Sequence, residues 1–212
     1  MELAYPAKES ILSQADRQSI LGVVMCGGKS RRMGEDKGLI EINGHTWSQH
    51  IYGVLDSLAP QTVLSIHPRQ TETYSEIFSP DRLVLDCISI SGPLVGIFSV
   101  HKAYPDKNLL VLACDMIYMT SEVMKKLLST HQTDSTFDFY TFRSERGLEP
   151  LSGLYTSKGL AKAYDLITQS SDDPKDFSLH HLLSSGSLKI LKVGDRKAFT
   201  NLNDRDDLQN RS

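Results

Sequence analysis

A chain of 212 residues, 40% hydrophobic and 23% charged, carries enough apolar material for one α/β unit with a substantial core. Its net charge of −3 offers no global basic field for nucleic acid or an anionic membrane. No apolar run approaches the ~20 residues needed to cross a bilayer.

The first residues, MELAYPAKESILSQADRQS, lack a basic region followed by an apolar core and do not read as a secretory signal. Residues 1–19 are therefore expected to form an extension, with a helical turn around Lys8 to Asp16, and residues 20–212 a single domain. The expected setting is cytoplasmic, without nucleic acid or membrane as partner.

Leu21 to Leu39, LGVVMCGGKSRRMGEDKGL, opens as a short buried strand and runs into Gly27-Gly28. Four cations follow within nine positions: Lys29, Arg31, Arg32 and Lys37. Glycines let backbone N–H groups approach an anion, and the cations neutralise it, so the stretch reads as a phosphate cradle. The plainer reading is a strand, a tight turn and a solvated basic face. Neither familiar phosphate loop fits, because G-x-x-x-x-G-K-[ST] is absent and the glycines are adjacent, not alternating as in G-x-G-x-x-G.

Further on, Leu39 to Ile42 alternates briefly and Asn43-Gly44 marks a turn. Trp47, Ile51, Val54, Leu55 and Leu58 share a helical spacing ended by Pro60, and Thr62 to Ile66 reads as a buried strand. A short helix is expected near Tyr74 to Phe78 and a strand at Leu83 to Leu85, ending at Asp86. Ser91-Gly92-Pro93-Leu94 has the proline of a helix start, and that helix should reach Ala103.

Leu109 to Ala113 is the clearest buried strand and ends at Cys114-Asp115. A helix at Ser121 to His131 and a strand at Phe137 to Phe142 follow, then a loop at Gly147 to Pro150. The remaining expected elements are a strand to Tyr155, helices at Gly159 to Thr168 and Leu179 to Leu183, a strand at Leu188 to Val193 and a helix from Asp204. There is no internal repeat.

Apolar strands alternating with helices predict an α/β fold, a largely parallel sheet covered on both faces. Ligands of such sheets bind beyond the carboxyl ends of the strands, where Gly27, Ser65, Asp86 and Asp115 all fall. An aspartate such as Asp115 at a strand end can be a Mg²⁺ ligand, since Mg²⁺ takes one or two carboxylates plus substrate phosphates, or can simply cap the next turn.

The three cysteines are odd in number and lack metal-type spacing, which argues against a disulfide framework. Cys26, Cys87 and Cys114 each follow an apolar run beside a candidate site residue. Either they converge as thiols for a soft metal, or small residues are needed at strand ends beside a ligand. His180-His181 has no partner at metal-ligand spacing and reads as surface.

GGKSRRMGEDKG resembles the N-terminal signature of nucleotidyltransferases with a Rossmann-like fold, and more narrowly that of the molybdenum cofactor guanylyltransferase (MobA-like) family. LACDM, Asp86 with Gly92-Pro93-Leu94 and Gly96, Glu149-Pro150-Leu151 with Tyr155, and Asn201-Leu202-Asn203 resemble four further segments in the same order. The resemblance implies a three-layer fold with a mixed, largely parallel sheet. It also implies Mg²⁺ as cofactor, GTP and Mo-molybdopterin as substrates, and molybdoenzyme maturation proteins as further partners.

Residue by residue, the resemblance gives Lys37 to the triphosphate and Asp115 to Mg²⁺ and nucleotide. Arg32 falls to the leaving pyrophosphate or the second substrate's phosphate. Met25, Cys26, Gly27, Gly28, Ser65, Asp86 and Gly96 fall to the nucleotide. Arg31, Glu149, Asn201 and Asn203 fall to the second substrate or its support, although Asn203 also suits an N-cap.

The chain departs from the family at Ser65, where an asparagine is usual, with His67 close enough to substitute; at Ile117, near a usual proline; and at Asp204-Arg205 in place of Thr-Pro. Losing an amide that both donates and accepts loosens the implied preference for guanine. Transfer from CTP, transfer to a sugar or alcohol phosphate, and a nucleotide-binding regulatory module are the alternatives. Lys37 and Asp115 speak against the module, because a mere binder needs no metal-poised carboxylate.

Overall fold

The computed structural model describes residues 18–27, 36–169, 177–193 and 196–200. In chain order the strands are β1 (Ile20–Met25), β2 (Glu41–Ile42), β3 (His45–Thr46), β4 (Gln61–Ile66), β5 (Leu83–Leu85), β6 (Asn108–Ala113), β7 (Phe139–Ser144), β8 (Gly147–Tyr155) and β9 (Leu188–Lys192). The helices are α1 (Trp47–Asp56), α2 (Thr71–Ser75), α3 (Leu94–Ala103), α4 (Ser121–Thr133), α5 (Ser157–Gln169) and α6 (Leu179–Ser184).

β1 is apolar throughout because it is buried on both faces. Ile20 and Val24 join Leu64 and Leu112 in a core covered by α1 and α4, through Ile51, Leu55, Met124 and Leu127. Leu21, Val23 and Met25 face the other way, into a core covered by α3, α5 and α6 through Ile97, Phe98, Leu160 and Leu182. Three layers result, with the sheet in the middle.

The main sheet has seven strands in the order β5-β4-β1-β6-β8-β7-β9. β5, β4, β1 and β6 run parallel, β8 is antiparallel to both β6 and β7, and β9 is parallel to β7. The fold is therefore the mixed, largely parallel α/β sheet expected. In this arrangement the start of β8 lies at the same edge as the carboxyl ends of the parallel strands.

Besides shifts of two residues at the starts of β7 (Phe139, not Phe137) and α5 (Ser157, not Gly159), two expected elements differ more. The short helix begins at Thr71, earlier than its apolar residues suggested, because the turn at Pro68–Gln70 leads directly into it. Gly147 to Pro150 is not a loop but the start of β8. Proline cannot donate to a ladder, and the register slips beside Pro150: Thr141 pairs with Gly153 and Phe142 with Glu149. The Thr141 hydroxyl bridges the slip by donating to the Glu149 carbonyl at 2.7 Å.

A small hairpin, β2–β3, turns at Asn43 and Gly44, both with positive φ, the tight geometry that Asn-Gly favours. Its Ile42, with Ile40 just before it, packs with Trp47, Ile117 and Tyr118 in a separate apolar cluster. The hairpin thus seats the segment that follows Asp115.

Candidate active site

The pairing register sets the level of the crevice. Met25 lies opposite Ser65 on β4 and Ala113 on β6, and the Asp86 N–H donates to the Ile66 carbonyl at 3.0 Å. Gly27, Ser65, Asp86 and Asp115 therefore meet at one edge, as the strand-end pattern predicted.

Lys37 reaches that edge from a single 3₁₀ turn, Lys37–Leu39, capped by the Asp36 side chain. Its Nζ lies 3.2 Å from Asp115 Oδ2, with the two side chains 25% and 20% exposed. The pair is sheltered but open to a ligand. It joins residues 78 apart in sequence, so only the fold creates it.

On the neighbouring side, the Ser65 hydroxyl donates to Asp86 Oδ1 at 3.4 Å, and Ser65 itself is fully buried. Gly96 seals this corner, since a Cβ there would strike the Ser65 hydroxyl and come within 2.7 Å of the Met25 methyl. Burial holds the Asp86 carboxyl above its usual range, partly offset by the Ser65 hydroxyl and by His67. Ser65 thus aims Asp86 and does not itself face the crevice.

His67 does face outward at the rim. Its Nδ1 accepts the Arg69 N–H at 3.1 Å, which leaves Nε2 as the outward nitrogen. Gly27 carries an expectation that needs correcting. Its N–H, like that of Cys26, donates to the Ser65 carbonyl at 3.0 Å and is not free for an anion. What its missing side chain provides is room, because a Cβ would sit 3.2 Å from Asp86 Oδ2.

The segment after Asp115 is pinned by His50 of α1, whose Nε2 donates to the Ile117 carbonyl at 3.0 Å. Burial pushes the His50 imidazole below its usual pKa, opposed by that carbonyl, so the ring stays neutral and the tautomer is set. Lys197 lies over the Tyr118 ring at 4.9 Å from its centre, and Phe199 packs on Phe142. The chain thus returns to the same end just before Asn201.

Glu149 sits near the start of β8 and accepts a hydrogen bond from the Ser144 hydroxyl. Since Leu112 pairs with Ser152, Glu149 lies further toward the carboxyl edge, on the Asp115 side.

The cysteines do not converge as three. Cys26 and Cys114 are buried together, whereas Cys87 is exposed and donates its backbone N–H to the Ser99 hydroxyl. The hydrogen bond with Cys26 and burial push the Cys114 thiol up, so it stays protonated. Among the described residues no group of three His, Cys, Asp or Glu side chains could hold a metal ion. Gly28, Lys29, Arg31, Arg32, Asn201 and Asn203 lie outside the described residues, as do the expected helices at Lys8 to Asp16 and from Asp204.

A model of the MobA-like NTP transferase domain matches residues 22–183, which takes in the whole crevice from β1 to α6. The chain belongs to that family. It is 30% identical over 191 residues to a molybdenum cofactor biosynthesis bifunctional protein of Synechocystis, covering 89% of this chain and 52% of that protein. This chain thus spans about half the length of that relative.

A probable molybdenum cofactor guanylyltransferase of Flavobacterium johnsoniae is 28% identical, over 90% of this chain and 95% of that protein. In three dimensions the MobA-like chain is similar to molybdopterin-guanine dinucleotide biosynthesis protein A of Archaeoglobus fulgidus, with a TM-score of 0.71 and 22% identity. That likeness covers 90% of this chain and 96% of the other. The MobA-like family makes the chain a nucleotidyltransferase. Among its described residues no helix is long and apolar enough to cross a membrane.

Sequence reasoning missed three side chains beside the crevice: Gln70, Tyr74 and His50. Gln70 carried a faint local signal, standing three residues after His67 in the spacing of a capping box. The other two had none, because their partners, Asp36 and Ile117, are 38 and 67 residues away.

Proposed function

We propose that this MobA-like chain, through residues 20–212, transfers GMP from GTP to the terminal phosphate of molybdenum-loaded molybdopterin, releasing pyrophosphate. The observation that carries the reading is the Lys37–Asp115 pair at 3.2 Å on the edge that also holds Gly27 and Asp86. A pyrophosphate bond forms between the attacking phosphate oxygen and the α-phosphorus as the bond to the β-phosphate breaks. The attacking oxygen is already anionic at neutral pH, so no side-chain nucleophile is required.

The difficulty lies in bringing two anions together. Lys37 supplies a compact positive charge to the phosphates as negative charge develops on them. Arg32 assists at the departing pyrophosphate or at the incoming phosphate, and Arg31, Glu149, Asn201 and Asn203 support the second substrate. Asp86, aimed by Ser65 and Gly96, takes the nucleoside end, where an acceptor suits ribose hydroxyls or base N–H groups.

The residues present fit Mg²⁺. Asp115 is a hard oxygen donor, partly exposed, and belongs to no group of three His, Cys, Asp or Glu side chains among the described residues, so most ligands would come from phosphate oxygens and water. Held there, Mg²⁺ supplies charge neutralisation and polarises phosphoryl oxygens. Asp115 would hold the ion, with Lys37 as its neighbouring cation at 3.2 Å.

A nucleoside triphosphate donor suits the cytoplasmic setting expected from the lack of a secretory-signal pattern, with molybdoenzyme maturation proteins as receivers of the product. The test is to incubate the protein with Mg²⁺, molybdenum-loaded molybdopterin and each nucleoside triphosphate in turn, measuring pyrophosphate. Release with GTP alone is expected. Release with CTP alone moves the reading to a cytidylyltransferase, and binding without release with any of them overturns it in favour of a regulatory module.

A further inference from the structure

Beside the crevice one carboxamide makes more contacts than its place in a short surface turn requires. Gln70 ends the 3₁₀ turn Pro68–Gln70, which follows β4. Its Oε1 accepts the His67 N–H at 2.7 Å, closing a local cap. Its Nε2 donates to the Cys26 carbonyl at 3.2 Å and to Asp36 Oδ2. Both amide hydrogens and the oxygen are thus engaged, and the flipped orientation would point oxygen at two acceptors.

Asp36 is held just as fully. The Gly38 N–H donates to Oδ1 at 2.9 Å and the Tyr74 hydroxyl donates to the same oxygen at 3.2 Å. Tyr74 is fully buried, and burial together with the neighbouring Cys26, Cys114 and Asp36 raises its pKa far beyond the usual range, so it stays a donor. Gly38 passes so close to the Tyr74 hydroxyl that any Cβ would clash with it. The residue after Asp36 is Lys37, which these contacts leave facing Asp115.

We propose that Gln70 is a positioning residue: it locks Asp36 to the carboxyl end of β1 and thereby sets Lys37 against Asp115. Cys26 precedes residues 28–35 in the chain and Asp36 follows them, and one carboxamide ties the two together. The same carboxamide holds His67, at the nucleoside side of the crevice beside Asp86. Tyr74 and Gly38 complete the clamp. The proposal rests on the nucleotidyl-transfer reading given above, but its geometry can be tested apart from turnover.

The test compares Gln70→Glu, Asp36→Asn and the double variant with the unaltered protein. Gln70→Glu keeps the shape and the acceptor for His67, yet sets a carboxylate against the Asp36 carboxylate and the Cys26 carbonyl. It is expected to lower kcat for pyrophosphate release by about tenfold to a hundredfold while KM for GTP changes by less than about threefold, since displacing Lys37 removes charge needed mainly at the transition state. In the double variant the acid and the amide have exchanged places, and at least about tenfold of the loss should return. A merely structural role would move thermal stability and give no reciprocal rescue.

In parallel, the acylation rate of Lys37 by an amine-reactive ester, read by peptide mass spectrometry without substrate, should rise in Gln70→Glu and fall back in the double variant. That arm judges the clamp even if the unaltered protein releases no pyrophosphate, an outcome that would sink the functional reading alone. Unchanged kcat in Gln70→Glu, or a double variant no better than the worse single one, overturns the proposal. So does unchanged Lys37 acylation across the four proteins. Should Gln70→Glu not fold, Gln70→Met removes the same two donations without adding charge, and unchanged kcat or unchanged Lys37 acylation in it overturns the proposal.

Discussion

Two lysine–aspartate pairs stand at opposite ends of the sheet, and their surroundings differ more than their lengths. At the carboxyl end Lys37 meets Asp115 at 3.2 Å; at the amino end Lys162 meets Asp138 at 3.0 Å. Asp138 also accepts the Ser187 N–H and hydroxyl, both at 3.1 Å, and sits against Gly159 and Gly186, where a Cβ would collide with it. It ties the start of β7 to α5 and to the turn before β9. Asp115 has Lys37 as its hydrogen-bonding side chain among the described residues and is 20% exposed.

A carboxylate saturated by backbone and hydroxyl donors is a fastener. One that accepts from a single partly exposed cation at the mouth of a crevice is poised for a ligand. The distances alone would not separate the two, whereas the count of donors does.

The sharpest way to break this contrast is to remove the poised pair. Asp115→Ala and Lys37→Ala are each expected to cut pyrophosphate release by at least about a hundredfold. The thermal midpoint should move by no more than about 4 °C, because a partly exposed pair contributes roughly 1 kcal/mol or less. Full activity in either variant would remove both residues from the roles proposed.

Next in size, Gly96→Ala forces a methyl against the Ser65 hydroxyl and Met25. It should destabilise by about 1–3 kcal/mol in chemical denaturation and weaken GTP binding by displacing Asp86. Undiminished GTP affinity would mean that the Ser65–Asp86 corner lies outside the nucleoside site.

The fastener should answer to stability and not to turnover. Burial pushes the Asp138 carboxyl up, but the Lys162 ammonium and the Ser187 donors outweigh it, and the carboxyl ends below its ordinary range. Since the folded pKa is the lower one, this stabilisation is complete above the unfolded value of about 3.9 and is lost as pH falls through the folded value. Asp138→Asn should therefore cost about 1–2 kcal/mol at neutral pH. The gap should narrow below about pH 4, with kcat per folded molecule unchanged. A gap that persists undiminished in acid would place the effect in packing and not in charge.

Smallest of all, Glu145→Gln breaks a fully surface-borne pair with Arg196 at 2.8 Å and should leave the unfolding midpoint within experimental error. A measurable loss there would make the donor count a poor guide to which pairs matter.

The strand ends were legible in the chain itself, because both-sided burial forces an unbroken apolar run such as Leu109 to Ala113 and ends it at the first polar residue, Asp115 by way of Cys114. Asn43-Gly44 announced its turn for an equally local reason, the need for positive φ at both positions. Pro150 misled, since a proline normally argues against a strand and only the slip in register beside Thr141 makes room for it. Ser65 misled in another way: its place at the strand end was read correctly, but whether its hydroxyl faces a ligand or a neighbouring carboxylate depends on where Gly96 packs.

The phosphate-cradle stretch illustrates the division best. Its own residues determine a buried strand, a glycine exit and a supply of cations, since composition and spacing are local properties of the chain. That the Gly27 N–H is spent on Ser65, that Asp36 is held by Gln70 and Tyr74, and that Lys37 faces Asp115 were decided by the tertiary structure. Those contacts join residues 34 to 78 positions apart in sequence for Asp36 and Lys37, and at such separations the partner is chosen by the packing of the sheet.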